Sequence, residues 1–178
     1  MTNARAALVP IVLLLVPAIT TCREAAAQMV TFGSPGDPPR VAIGGGAFDV
    51  IPETHPGSGT TGSVLGEFRF GDQWWILAPF VGAMGTGKGA VFAYVGFGFD
   101  IHIPYNFIIT PSFAGGYSES GHGVNLDYWW EFRSGAELDY RFSDDRRLGV
   151  GFYHISNAGL GHRDPGVELV NVTLTAPF

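Results

Sequence analysis

The chain is 178 residues long, 46% hydrophobic, 13% aromatic and only 15% charged, with a formal net charge of −6 at neutral pH. This length fits a single domain, and an acidic, sparsely charged composition leaves no basic footprint for nucleic acid. Glycine (26 residues) is spread through the apolar runs and weakens any helical reading.

The first 27 residues have the pattern of a secretory signal. Arg5 makes the leading segment positive, Ala6 to Ile19 is apolar, and Ala25-Ala26-Ala27 offers an A-x-A cleavage site before Gln28. The apolar run is short for a helix that spans a bilayer. A lipoprotein signal acylated at Cys22 is the alternative, but Ile19-Thr20-Thr21 leads poorly into such a cysteine. Removing residues 1–27 takes away Arg5, Arg23 and Glu24, so residues 28–178 keep 8 basic and 15 acidic residues, a formal charge of −7. The only cysteine leaves with the signal, and the exported protein has neither disulfide nor thiol chemistry.

Residues 28–40 are Pro-rich and read as a short periplasmic lead-in. From Val41 onward the chain reads as strands at 41–50, 62–70, 74–85, 90–100, 106–116, 128–141, 147–156 and 166–178, separated by turn clusters. Runs of about ten residues match a tilted transmembrane strand. The clearest is Tyr128 to Arg141. Its even positions include Trp130, Phe132, Ala136, Leu138 and Tyr140, and its odd positions Glu131, Arg133, Glu137, Asp139 and Arg141. One face is apolar and the other densely charged, and the charges are expected to fill the lumen as ion pairs. Glu67 and Arg69 alternate with Val64, Phe68 and Phe70 in the same way.

The export signal, the aromatic apolar faces and a last strand alternating Val170, Val172, Leu174, Ala176 to a terminal Phe178 together point to an eight-stranded antiparallel transmembrane β-barrel of the bacterial outer membrane. Closure also removes the open edges that lipid would not tolerate. No internal repeat or second domain is visible. With both ends in the periplasm, the turns near 71–73, 101–105 and 142–146 are periplasmic and the links at 51–61, 86–89, 117–127 and 157–165 extracellular. Trp74, Trp75, Tyr128, Trp129 and Trp130 read as interface girdle residues, although Trp129 has lumen parity.

The last two strands carry the chemistry. His154 and Ser156 end one strand and Glu168 begins the next, so all three sit near the outer rim. His154 and Ser156 share parity with Leu148, Val150 and Phe152, and Glu168 shares it with Val170, Val172 and Leu174. A base, a nucleophile and an acid are thereby expected on the lipid side, a costly place for ionisable groups that do nothing.

His154-x-Ser156-Asn157-Ala158-Gly159, followed by Pro165-Gly166-x-Glu168, resembles the lipid A 3-O-deacylase (PagL) family. The resemblance implies an eight-stranded outer-membrane barrel that hydrolyses the ester-linked acyl chain at the 3-position of lipid A in lipopolysaccharide. It implies Ser156 as nucleophile, His154 as general base and Glu168 as the group that orients the imidazole. An oxyanion hole would draw on Asn157, Ala158 and Gly159. No metal or cofactor is implied. One departure stands out: family members commonly have Asn at the position of Asp164, and an ionised Asp has no proton to donate to an oxyanion.

Two other readings compete. One is a structural or adhesion barrel whose loops bind a partner, against which the Gly/Ser-rich links at 51–61 and 117–127 offer little apolar surface. The other is a general acyl-ester or phospholipid hydrolase using the same triad. His162 and Arg163, in the last extracellular link, suit either lipid A phosphates or a solvated loop. Gly44-Gly45-Gly46 and Gly85-Thr86-Gly87-Lys88 open no helix, so they read as strand and turn glycine rather than phosphate loops.

Overall fold

A computed structural model describes residues 30–52, 57–163 and 165–178. The signal expected over residues 1–27 lies outside them. Ten strands follow in chain order: β1 (Thr31–Phe32), β2 (Arg40–Phe48), β3 (Thr61–Arg69), β4 (Ala78–Thr86), β5 (Val91–Gly98), β6 (Ile101–Ile103), β7 (Phe107–Glu119), β8 (Trp130–Arg141), β9 (Arg147–Ser156) and β10 (Gly166–Pro177). The eight long strands pair antiparallel around a ring, which closes where β10 meets β2 from Leu169↔Phe48 to Pro177↔Arg40. This is the expected closed, all-β, eight-stranded transmembrane barrel.

The alternation seen in the sequence holds in three dimensions. Along β8, Glu131, Arg133, Glu137 and Asp139 are buried, while Leu138 and Tyr140 face outward. The lumen is layered. Its outer end is apolar, built from Phe48, Leu65, Phe92, Ile155, Val167 and Leu169, with Val124 and Leu126 from the link between β7 and β8 tucked in among them. Below lies a charged belt. Arg69 bridges Glu67 (3.0 Å) and Glu137 (2.9 Å), and Arg133 bonds Glu67 at 2.9 Å with its guanidinium over the rings of Tyr94 and Tyr153. Gly82 makes room for this belt, since a Cβ there would run into Tyr94 and Glu67. Of the charges expected to fill the lumen as ion pairs, Arg133 and Glu137 do so, with hydrogen bonds that offset much of their burial cost. Arg141 pairs instead with Asp145 (2.7 Å) at the mouth, and Asp139 is buried without an ion pair among the described residues.

At the opposite end the lead-in proves to be structural. Asp37 takes ion pairs from Arg40 (2.9 Å) and Arg147 (2.8 Å), and Ser34 bonds Asp100 (2.9 Å) and His102 (2.7 Å). β1 pairs with β6, so residues 31–40 are stitched across the periplasmic mouth.

Three boundaries depart from expectation. The run expected from 74 begins only at Ala78, because Trp74–Leu77 form a tight turn closed by reciprocal backbone bonds of 2.9 and 3.1 Å, with Trp75 at φ +62°. The run expected at 90–100 breaks where Asp100 turns inward to Arg147 (2.7 Å), and β6 then resumes pairing with β7 inside the turn expected at 101–105. Trp129 precedes β8 and is exposed, so strand parity does not apply to it.

Candidate active site

β9 and β10 pair with His154 directly opposite Glu168 and Ser156 directly opposite Gly166. Successive residues alternate faces, so this register gathers all three groups on the outer wall at the rim. Leu148, Val150 and Phe152 continue that face downward as exposed apolar residues, while Ile155, Val167 and Leu169 beneath it are fully buried. The three side chains thus stand on a packed support, a position that limits their drift.

His154 Nδ1 lies 3.1 Å from Glu168 Oε1, with the imidazole 44% and the carboxylate 23% exposed. A carboxylate only accepts, so Nδ1 is the donor and the Nε2 lone pair is left available as a base. No hydrogen bond joins the Ser156 hydroxyl to another described residue. Across β9, Ser134 lies opposite His154 and Phe132 opposite Ser156, and Phe132 stacks on Phe113 (centroids 5.7 Å apart, 20° between planes). The hydroxyl is flanked by an aromatic wall on the lipid side.

The segment after Ser156 is pinned by Asn157. Its fully buried amide donates to Leu126 O and Arg163 O, both at 2.7 Å, and its Oδ1 accepts from Gly159 N at 2.8 Å. Both protons of the side-chain amide are committed, so Asn157 braces two loops rather than offering a free donor. The Gly159 amide is committed as well. Among the expected oxyanion donors, the backbone N–H of Ala158, at φ +53° on the exposed tip, has no partner among the described residues. Asp164 lies outside the described residues.

A second tie comes from Asp127, which nothing in the sequence marked. Arg163 N donates to its carboxylate at 2.8 Å, and its guanidinium lies 3.6 Å away. The backbone N–H groups of Arg163 and His162 hold this carboxyl below the usual carboxylate range. Arg163 therefore belongs to the fold of the rim, although most of its side chain remains exposed.

The fold defines an outer-membrane β-barrel, and its lipid-facing rim carries a His–Glu pair and a serine. More particularly, the family described as lipid A 3-O-deacylase (PagL) matches residues 57–177, and the chain belongs to that family. Among solved structures, the outer-membrane enzyme PagL is similar at 19% identity over 78% of this chain and 99% of that chain, with a TM-score of 0.61. Neisserial surface protein A is similar at 11% identity, covering 85% and 100% with a TM-score of 0.56. A de novo designed transmembrane barrel is similar at 18%, covering 83% and 100% with a TM-score of 0.55. No curated protein sequence matches the chain.

Proposed function

We propose that this barrel hydrolyses the 3-O-linked acyl ester of lipid A through Ser156, His154 and Glu168. The observation that carries the reading is the 3.1 Å His154–Glu168 bond on the lipid face, in a register that sets Ser156 one step further along the same wall. Ionisable groups on that wall are costly. A substrate that is itself an outer-leaflet lipid gives them a use there.

Ser156 Oγ attacks the ester carbonyl while His154 Nε2 takes its proton, and Glu168 stabilises the imidazolium through Nδ1–H. The tetrahedral intermediate collapses as His154 returns the proton to the departing sugar hydroxyl, leaving an acyl-serine. Water, activated by the same imidazole, then releases the hydroxyacyl chain. The oxyanion donor is assigned to the Ala158 amide, with Asn157 and Gly159 as the frame that holds it. One such donor is worth about 3–4 kcal/mol in the transition state. His162 and Arg163 stand beside the tip, where lipid A phosphates would pass.

Mass spectrometry of lipid A from cells making the wild type or Ser156→Ala tests this. The wild type should remove one ester-linked hydroxyacyl chain and the variant none, a loss of about 10⁴-fold or more. Fragmentation places the cut: loss from a phospholipid or from another lipid A position makes the protein a broader acyl-ester hydrolase. Unchanged lipid A, with both wild type and Asp164→Asn folded in the outer membrane, leaves a structural barrel.

A further inference from the structure

We infer that Gly166 is a positioning residue for this reaction, its bare Cα being the seat on which the His154 imidazole lies. The inference rests on the deacylase reading for its catalytic meaning and on geometry for its content. A Cβ built on Gly166 would collide with His154 Cε1 and come within 3.0 Å of Nε2 and 3.4 Å of Nδ1. Its three nearest heavy atoms thus all belong to one imidazole. Gly166 is also the residue directly across from Ser156, while Glu168, directly across from His154, takes Nδ1. The ring therefore leans diagonally across the strand pair. Its Cε1–Nε2 edge rests over the partner of the nucleophile, and its Nδ1 stays with the acid.

No other near contact requires glycine there. The φ of Gly166 is not in the left-handed region, so any residue fits its backbone. A lipid-facing strand position favours large apolar side chains, and glycine weakens a strand. Gly62 and Gly66, also on the outer wall, have open space above them. Gly115 has rings above it, but a Cβ there would only approach Phe132 and Trp130 at 3.3 Å. Any side chain at position 166 would push the imidazole off the pair, because the ring is the mobile partner and the strands are not. The barrel tolerates that movement and the reaction does not, since a displacement of about 1 Å at a reacting group costs up to 100-fold in rate.

The test uses the full barrel refolded in detergent, with heat-modifiable gel mobility to report folding. Two readouts are compared in the wild type, Gly166→Ala and Gly66→Ala: steady-state release of the hydroxyacyl chain from lipid A, and the deshielded proton resonance of the His154 Nδ1–H bonded to Glu168, assigned by its loss in His154→Ala. Gly166→Ala should fold, lose or shift that resonance, and lower kcat by about 10- to 100-fold at constant KM. Gly66→Ala should change neither readout. An unmoved resonance overturns the seat, and a lost resonance with unchanged kcat overturns its role in the reaction. If the wild type releases no acyl chain, the deacylase reading fails while the resonance still decides the seat. Should Gly166→Ala fold poorly, the same change is made in the His154→Ala background. There it should cost no stability, and an undiminished cost overturns the inference.

Discussion

Two glutamates, on the strands either side of β9, behave in opposite ways. Glu137, in the lumen, is almost fully buried and held by Arg69 at 2.9 Å, Thr173 at 2.9 Å and Tyr153 at 3.3 Å. Glu168, on the outer wall, has His154 as its one side-chain partner among the described residues and keeps nearly a quarter of its side-chain surface exposed. The lumen carboxylate has its lone pairs satisfied by groups that cannot leave, which suits a strut. The rim carboxylate orients one ring and leaves that ring's other nitrogen open, which suits a catalyst. Glu137 is thereby a saturated strut, while the open side of the His154–Glu168 pair is what the proposed reaction uses.

Breaking the rim half of that contrast should produce the largest effect. Glu168→Gln keeps the size but withdraws the charge that stabilises the imidazolium. Lipid A deacylation should fall by about 10²- to 10⁴-fold in an assay with purified lipid A, with little change in unfolding by urea. The opposite signature is expected from the lumen. Arg133→Ala removes one of the two arginines that hold Glu67 and empties the space between Tyr94 and Tyr153, which should cost about 3 kcal/mol in urea unfolding from lipid vesicles. Activity at low temperature, where the barrel is still folded, should persist. A large loss of activity there would blur the division between strut and catalyst.

Asn157→Ala sits between the two halves. It leaves the carbonyls of Leu126 and Arg163 without their donors and unties the tip that carries Ala158. A loss of about 2 kcal/mol in stability is expected, with a fall of about tenfold in kcat. The smallest effect is one of pH at the periplasmic turn. Burial works against ionisation of Asp100, but the charge of Arg147 and hydrogen bonds from Arg147, Thr110 and Ser34 outweigh it and hold the carboxyl below the usual range. With the folded value below the unfolded one, its stabilisation is complete above about pH 4 and is lost as pH falls through the lower folded value. Unfolding midpoints measured from pH 6 down to pH 2 should fall less steeply for Asp100→Asn than for the wild type.

The barrel was legible in the sequence because lipid and lumen impose a period of two that survives in almost every strand, most clearly in Tyr128 to Arg141. The gathering of His154, Ser156 and Glu168 was legible for the same reason, since parity and rim position follow from chain order. Register was not, because it depends on which residues pair, and a strand sequence does not state its partner. The diagonal of His154 over Gly166 is a fact of register. So are the contact of Asn157 with Leu126, across 31 positions, and that of Arg147 with Asp37, across 110. The Pro-rich segment 28–40 reads only as a lead-in because Ser34, Asp37 and Arg40 gain meaning only beside partners far along the chain, such as Asp100, Asp145 and Arg147. The oxyanion role of Asn157 was an implication of the family resemblance, whereas its side chain turns inward to Leu126 and Arg163.

The apolar cap made by Val124 and Leu126 over Phe48, Ile155 and Val167 has a bearing on permeability. With that cap above, the arginine–glutamate belt lines a cavity in the lower lumen, shared with Asp37, Asp100 and Arg147. A planar bilayer loaded with this protein should carry no more current than bare lipid. In the proposed reaction, the water consumed at the rim therefore arrives from the outer surface rather than through the barrel.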